Sequence, residues 1–191
     1  MMTLRRLGVN EIRSLHAEHM KRDFPPSELK GVNSILNLLE KGEYDVLAAE
    51  VDGSFAAYAL VYRPAGSRVI LLDYLAVVPQ ARGRGIGLEL LAALKQHYAD
   101  EADCIMVECE RPKAAPDEAE ARRRIRFYER AGAQMTPVRI WLFDVEYSIL
   151  ALPCENTPAA IQADWASLMM NLYRKMLPEE LFIRNVRLIR G

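Results

Sequence analysis

Leu71-Leu72-Asp73-Tyr74-Leu75-Ala76-Val77-Val78-Pro79-Gln80-Ala81-Arg82-Gly83-Arg84-Gly85-Ile86-Gly87-Leu88-Glu89-Leu90-Leu91 is the stretch that decides the fold. It reads as a buried strand, a break, a glycine-rich turn and a helix. The apolar run from Val69 to Val78 contains β-branched residues and has the pattern of a strand covered on both faces. Pro79 ends it, because proline fixes its own φ and cannot donate to a ladder. Beyond the glycines, Ile86, Leu90, Leu91, Leu94 and Tyr98 recur at helical spacing.

The turn has the makings of an anion site. A helix start leaves backbone N–H groups without partners, and the helix dipole adds partial positive charge there. Glycines let that backbone approach a ligand without Cβ obstruction. Arg82 and Arg84 add planar cationic donors suited to phosphate. A phosphate or pyrophosphate is the ligand these features describe. A P-loop is excluded, since no Gly-Lys followed by Ser or Thr is present. The dinucleotide fingerprint G-x-G-x-x-G is also excluded, because Gly83, Gly85 and Gly87 give G-x-G-x-G.

Composition narrows the setting. The chain has 191 residues, half of them hydrophobic, with net charge -1. That length favours one domain with a substantial core. The charge balance gives no overall basic field for nucleic acid or anionic membrane. Cys104, Cys109 and Cys154 cannot all pair within one chain, so buried reduced thiols are expected. No run approaches the ~20 apolar residues that span a bilayer, and the N-terminus lacks the apolar core of a signal peptide. The expectation is a soluble cytoplasmic protein.

Working outward, Met2 to Leu7 reads as a first strand, followed by a helix with Ile12, Leu15 and His19 on one face. Phe24-Pro25-Pro26 breaks it, and Ser27 is placed to cap a second helix with Val32, Ile35, Leu36 and Leu39 as its stripe. Tyr44 to Val51 and Ser54 to Tyr62 are strand-like, joined by the hairpin dipeptide Asp52-Gly53. After the central helix, Cys104 to Cys109 is a strand and Glu110 to Asp117 a loop. A charged helix runs from about Glu118 to Arg130, and Gly132 ends it. Further strands lie within Gln134 to Phe143 and Glu146 to Leu152. Thr157-Pro158 reads as the start of a final helix lined by Ile161, Trp165, Leu168, Leu172 and Met176. Leu177-Pro178 ends that helix, and Ile183 to Ile189 is a last strand or an ordered tail. Alternating strands and helices argue for an α/β or α+β sheet with helices on both faces.

Val77-Val78-Pro79-Gln80-Ala81-Arg82-Gly83-Arg84-Gly85-Ile86-Gly87 resembles the acyl-CoA motif of the GNAT superfamily of N-acetyltransferases. That motif is Q/R-x-x-G-x-G/A after a strand ending in V-x-P. Arg82, Gly85 and Gly87 take the fixed positions. Gln80, Gly83 and Gly85 satisfy the short pattern in a second register, and the distance from Val77 and Pro79 favours Arg82. A second match is Arg122-Arg123-Arg124-Ile125-Arg126-Phe127-Tyr128-Glu129-Arg130-Ala131-Gly132, which is similar to the family's helix ending in a tyrosine near the CoA sulfur. The matching residue is Tyr128. The family often has Asn seven residues earlier and Ala four earlier, where this chain has Ala121 and Arg124. The resemblance implies a mixed, mostly antiparallel central sheet in a GNAT-like domain over residues 1–152. Residues 153–191 would be a C-terminal helix and tail packed on the same domain.

The resemblance implies acetyl-CoA as cofactor and a small-molecule or peptide amine as acceptor, with no nucleic acid and no membrane partner, and with a homodimer as an option. Leu75, Ala76 and Val77 would bind the pantetheine arm. Arg82, Gly83, Arg84, Gly85, Ile86 and Gly87 would hold the pyrophosphate. An amine attacking a thioester must first be neutral, although a lysine-like amine has a pKa of about 10.4. The thiolate then leaves, and a nearby phenol can protonate it. Tyr128 is the candidate acid. Asp73, Glu108 and Glu110 are candidate bases, with Asp73 marked by being a carboxylate in an apolar strand, and a water chain could replace any of them. Asp73 could equally be a structural hydrogen-bond acceptor. His16 and His19 lack further ligands for a metal, so none is expected. The cluster Arg122 to Arg126 sits among Glu118, Glu120 and Glu129, the pattern of a solvated, salt-bridged face. The reading is direct transfer of acetyl in a ternary complex. The alternative is a non-catalytic acyl-CoA-binding or sensing module on the same fold.

Overall fold

A computed structural model describes residues 1–157 and 163–189. In chain order the elements are β1 (Met2–Arg6), α1 (Val9–Leu15), a π-helical turn (His16–Met20), α2 (Lys21–Asp23) and α3 (Val32–Glu40). The hairpin β2 (Tyr44–Val51) and β3 (Ser54–Tyr62) comes next, then β4 (Val69–Val77), a 3-10 turn (Pro79–Ala81) and α4 (Ile86–His97). The second half contains β5 (Cys104–Glu110), α5 (Glu118–Arg130), β6 (Gln134–Leu142), β7 (Val145–Pro153), α6 (Trp165–Met176), α7 (Glu179–Asn185) and β8 (Val186–Leu188). The strands form one eight-stranded mixed sheet in the order β1-β2-β3-β4-β5-β7-β6-β8. It is mostly antiparallel, and β4 runs parallel to β5.

The chain divides into two compact units, one made of Met1–Ala65 with Asp73–Ala93, the other of Gly66–Leu72 with Leu94–Gly191. In the first, the turn between β2 and β3 has Asp52 at φ 51° and Gly53 at φ 76°, the two left-handed positions of a hairpin that follows the strand twist. Its core gathers Ile12, Met20, Ile35, Leu47, Tyr58 and Leu60, all fully buried. In the second, β4 and β5 hold parallel register from Val69 opposite Cys104 to Leu72 opposite Val107.

The β6–β7 hairpin turns through Phe143 (φ 46°) and Asp144 (φ 66°) without a glycine. Backbone support comes from the Phe143 N–H, which donates to the Asn185 carbonyl at 3.2 Å. The β6–β7 register shifts between Met135 and Arg139. Pro137 lies inside that shift and has no N–H to give. Thr136 Oγ1 fills the gap, donating to the Ile149 carbonyl (2.8 Å) and accepting from the Val138 N–H (3.2 Å).

Three expectations need correction. Ser27 does not cap the second helix; α3 starts four residues later, with Gly31 as its N-cap. The Glu28 carbonyl and the Lys30 N–H are both engaged by the Tyr74 hydroxyl, at 2.7 and 2.8 Å, which holds this segment as a turn. Of the expected apolar stripe, Ile35 is buried together with Leu38, while Val32, Leu36 and Leu39 are half-buried. The final helix is capped by Asp164, whose side chain accepts from the Ser167 N–H, and it starts at Trp165 rather than at Thr157-Pro158. Pro158 and Ile161 lie outside the described residues. Ile183 belongs to helix α7, and the last strand is the short Val186–Leu188.

Candidate functional site

Within the first unit, β4 delivers its chain into the 3-10 turn at Pro79 and then into the glycine turn. Gly83 (φ 75°) and Gly85 (φ 81°) both occupy the left-handed region. A Cβ built at either would meet nothing within 4 Å, so the need for glycine is conformational and the space before the backbone is open. The N–H groups of Leu88 and Glu89 both donate to the Gly85 carbonyl, at 3.0 and 3.2 Å. The first-turn N–H groups before them have no acceptor inside the helix. Arg84 is exposed, and the Arg82 side chain is 58% exposed. Backbone donors, a helix start and two cations fit a pyrophosphate.

Arg82 is nevertheless held in place. Its Nε donates to the Val77 carbonyl at 3.0 Å, and its Nη2 reaches Asp23 Oδ1 at 3.4 Å. Arg22 donates to both oxygens of the same carboxylate at 3.0 Å, and the Tyr58 hydroxyl donates to Oδ2 at 3.0 Å. Burial alone would push the Asp23 carboxyl up. The hydrogen bonds from Arg22 and Tyr58, with the charges of Arg22 and Arg82, outweigh it and leave this group below its usual value. Burial, then the neighbouring Asp23 charge, pushes the Tyr58 phenol up and keeps it neutral.

Asp73 on β4 forms an ion pair with Lys30 at 2.7 Å and accepts from the Tyr44 hydroxyl. The carboxylate is 6% exposed and the lysine 24%. The Lys30 ammonium also lies 5.3 Å from the centre of the Tyr74 ring. Leu75, Ala76 and Val77 complete β4, all half-buried. His16 is structural, its Nε2 within 2.9 Å of the Lys30 carbonyl.

The second unit holds the other predicted residues. Tyr128 is buried in the last turn of α5. Its phenol is pushed up by burial first and by the Cys109 thiol next, so it stays protonated at neutral pH. Glu110 is half-buried at the end of β5, opposite Tyr147 of β7. Glu108 accepts a hydrogen bond from Tyr173 of α6. All three cysteines are free and buried. Burial pushes the thiols of Cys104 and Cys109 up to about 12 and that of Cys154 up to about 11. On the outer face of α5, Arg122 pairs with Glu118, and Arg123 with Glu120 at 2.8 Å, as a solvated face should. Among the described residues no cluster of three or more His, Cys, Asp or Glu is arranged to hold a metal. No helix of the described residues is long and apolar enough to cross a membrane.

Sequence reasoning missed Asp23, Tyr58, Lys30, Tyr44 and Tyr173. The charged pair Arg22-Asp23, at the end of a helix and before a double proline, reads as solvated. Only the fold shows that this aspartate is buried against a strand residue 35 positions away.

Comparison with known proteins bears on the family and the fold. The family model described as Acetyltransferase (GNAT) family matches residues 10–133, more than half of the chain. An uncharacterized N-acetyltransferase of Bacillus subtilis (strain 168), YhfO, is 34% identical over an alignment of 90 residues that covers 44% of this chain and 60% of that protein. The chain therefore matches this relative over less than two thirds of its length. A structure assigned to the GNAT family from Bacteroides thetaiotaomicron aligns with a TM-score of 0.72 at 17% identity, covering 90% of this chain and 96% of that one. Spermidine N-acetyltransferase from Vibrio cholerae, in complex with CoA and spermine, aligns at 0.60 and 13% identity, covering 81% and 96%. The ribosomal-protein-S18-alanine N-acetyltransferase from Escherichia coli aligns at 0.60 and 18% identity, covering 86% and 98%. At such identities the likeness speaks for the fold. With its sequence matched from Asn10 to Ala133, this chain belongs to the GNAT acetyltransferase family.

Proposed function

We propose that this chain moves an acetyl group from acetyl-CoA to a primary amine by direct attack in a ternary complex. The turn from Arg82 to Gly87 carries the reading. Its left-handed glycines, open approach and helix start are what a pyrophosphate needs, and family membership supports acetyl-CoA as its source. Arg82, Gly83, Arg84, Gly85, Ile86 and Gly87 would hold the pyrophosphate, and Leu75, Ala76 and Val77 the pantetheine arm. The thioester supplies an activated acyl group and a thiolate leaving group.

Each remaining task falls to a named residue. Glu110 or Asp73 would take the proton from the attacking amine. The engagement of Asp73 by Lys30 and Tyr44 favours Glu110 in that role. Tyr128 would protonate the departing thiolate, and a phenol kept neutral by burial has that proton to give. The new bond joins nitrogen to the acyl carbon as the bond to sulfur breaks. Buried thiols with pKa values of about 11 to 12 make poor nucleophiles, which supports direct transfer over an acyl-cysteine route. The Bacillus relative is named an N-acetyltransferase, which supports nitrogen as the acceptor atom.

The test is release of free thiol from acetyl-CoA across a panel of small-molecule and peptide amines. Turnover should appear with at least one amine, and Tyr128→Phe should lower kcat by about 100-fold while changing KM for acetyl-CoA little. Equal turnover in variant and wild type would remove Tyr128 from the mechanism. Binding without turnover on any amine would leave a non-catalytic acyl-CoA module.

A further inference from the structure

We propose that Asp23 is a positioning residue for the pyrophosphate, acting through Arg82; the inference rests on the reading of the glycine turn given above. Arg82 opens the loop motif, and its side chain is more than half exposed. A long exposed side chain loses rotamer freedom when it binds, unless it is already held. Here the Val77 carbonyl fixes Nε and Asp23 fixes Nη2. A guanidinium has five N–H groups, so both hydrogens of Nη1 and one of Nη2 remain for an anion.

A carboxylate near a pyrophosphate would ordinarily repel it. Asp23 is compensated before Arg82 is counted, because Arg22 donates to both of its oxygens and Tyr58 adds a neutral donor. The positive charge of Arg82 is therefore not consumed by its tether. The carboxylate is only 3% exposed, so water contributes little to its partner set and the direction of the tether is set by protein atoms. The buried Asp23 and Tyr58, with the exposed Arg22, form a clamp that aims one arginine.

Calorimetric binding of CoA and of pantetheine, which lacks the pyrophosphate, separates this role from a merely structural one. Asp23→Asn should weaken CoA binding about tenfold, the scale of one charge-assisted hydrogen bond, and leave pantetheine binding unchanged. In an Arg82→Met background the same substitution should have no further effect on CoA, and Asp23→Glu should restore part of the loss. Should Asp23→Asn fail to fold, Tyr58→Phe removes one donor from the carboxylate and should weaken CoA binding alone, by about threefold. Unchanged CoA binding in these variants overturns the proposal by itself, and so does an equal loss for both ligands. Failure of the wild type to bind CoA overturns the reading of the turn and this proposal with it.

Discussion

Replacing Lys30 by Met is expected to destabilise the protein by about 3 kcal/mol, at the low end of the cost of breaking a buried pair from one side. The reasoning starts from exposure. Asp73 is 6% exposed, so its charge cannot be taken over by water when the ammonium 2.7 Å away is removed. The Tyr44 hydroxyl still donates to it, and Lys30 is itself a quarter exposed, which is why the loss should not reach the top of that range. For a chain of this length about 3 kcal/mol corresponds to a fall in Tm of roughly 6 to 12 °C. Asp73→Asn combined with Lys30→Met should be less damaging than Lys30→Met alone, because the amide leaves no charge stranded; the coupling energy should be about 2 kcal/mol. Urea unfolding of the four proteins measures it, with unchanged m-values as the condition for comparison. A cost below about 1 kcal/mol for Lys30→Met, or strict additivity in the double variant, would show that solvent already carries the Asp73 charge.

Two further outcomes follow from the same structure. Gly85→Ala should cost about 1 kcal/mol of stability through its left-handed φ alone, since its new Cβ meets nothing within 4 Å, and it should weaken acetyl-CoA binding; stability equal to wild type by urea unfolding would contradict this. The three thiols have raised pKa values in the folded state, so their contribution is intact at pH 8 and is lost as pH rises and the unfolded chain ionises first. Between about pH 9 and 11 unfolding free energy should fall by about 1.4 kcal/mol per thiol for each pH unit, and Cys154→Ala should reduce the slope by one thiol's share. A flat profile by urea unfolding would contradict it, as would fast labelling of the native thiols at pH 8.

How far the sequence could be read depended on whether a signal was local. The run from Val69 to Gly87 carries its own punctuation, a proline and alternating glycines, and it became strand, turn and helix where expected. Asp52-Gly53 turned as a hairpin because both residues adopt the left-handed backbone its twist requires. Helix α5 ended at Arg130 before the left-handed Gly132, as its sequence indicates. The start of α3 was not legible, because the hydroxyl of Tyr74, distant in sequence, holds the turn before it. The place of the β6–β7 turn was legible from the strands on either side, but its conformation was not: Phe143 and Asp144 take the left-handed backbone in place of a glycine, and the Phe143 N–H donates to the Asn185 carbonyl. At the candidate site the backbone parts were legible, since glycine spacing is a sequence property. The clamp of Arg22, Asp23 and Tyr58 was not, because folding alone brings Asp23 against a strand residue distant in sequence.

Thermal unfolding with acetyl-CoA, against ATP and NAD as controls, tests the central claim most directly. Ligand at about 100 times its dissociation constant should stabilise the native protein by about 2.7 kcal/mol, and the shift should be confined to CoA compounds. An equal or larger shift with ATP or NAD, or none with acetyl-CoA at millimolar concentration, would mean that the turn from Arg82 to Gly87 is not an acyl-CoA site.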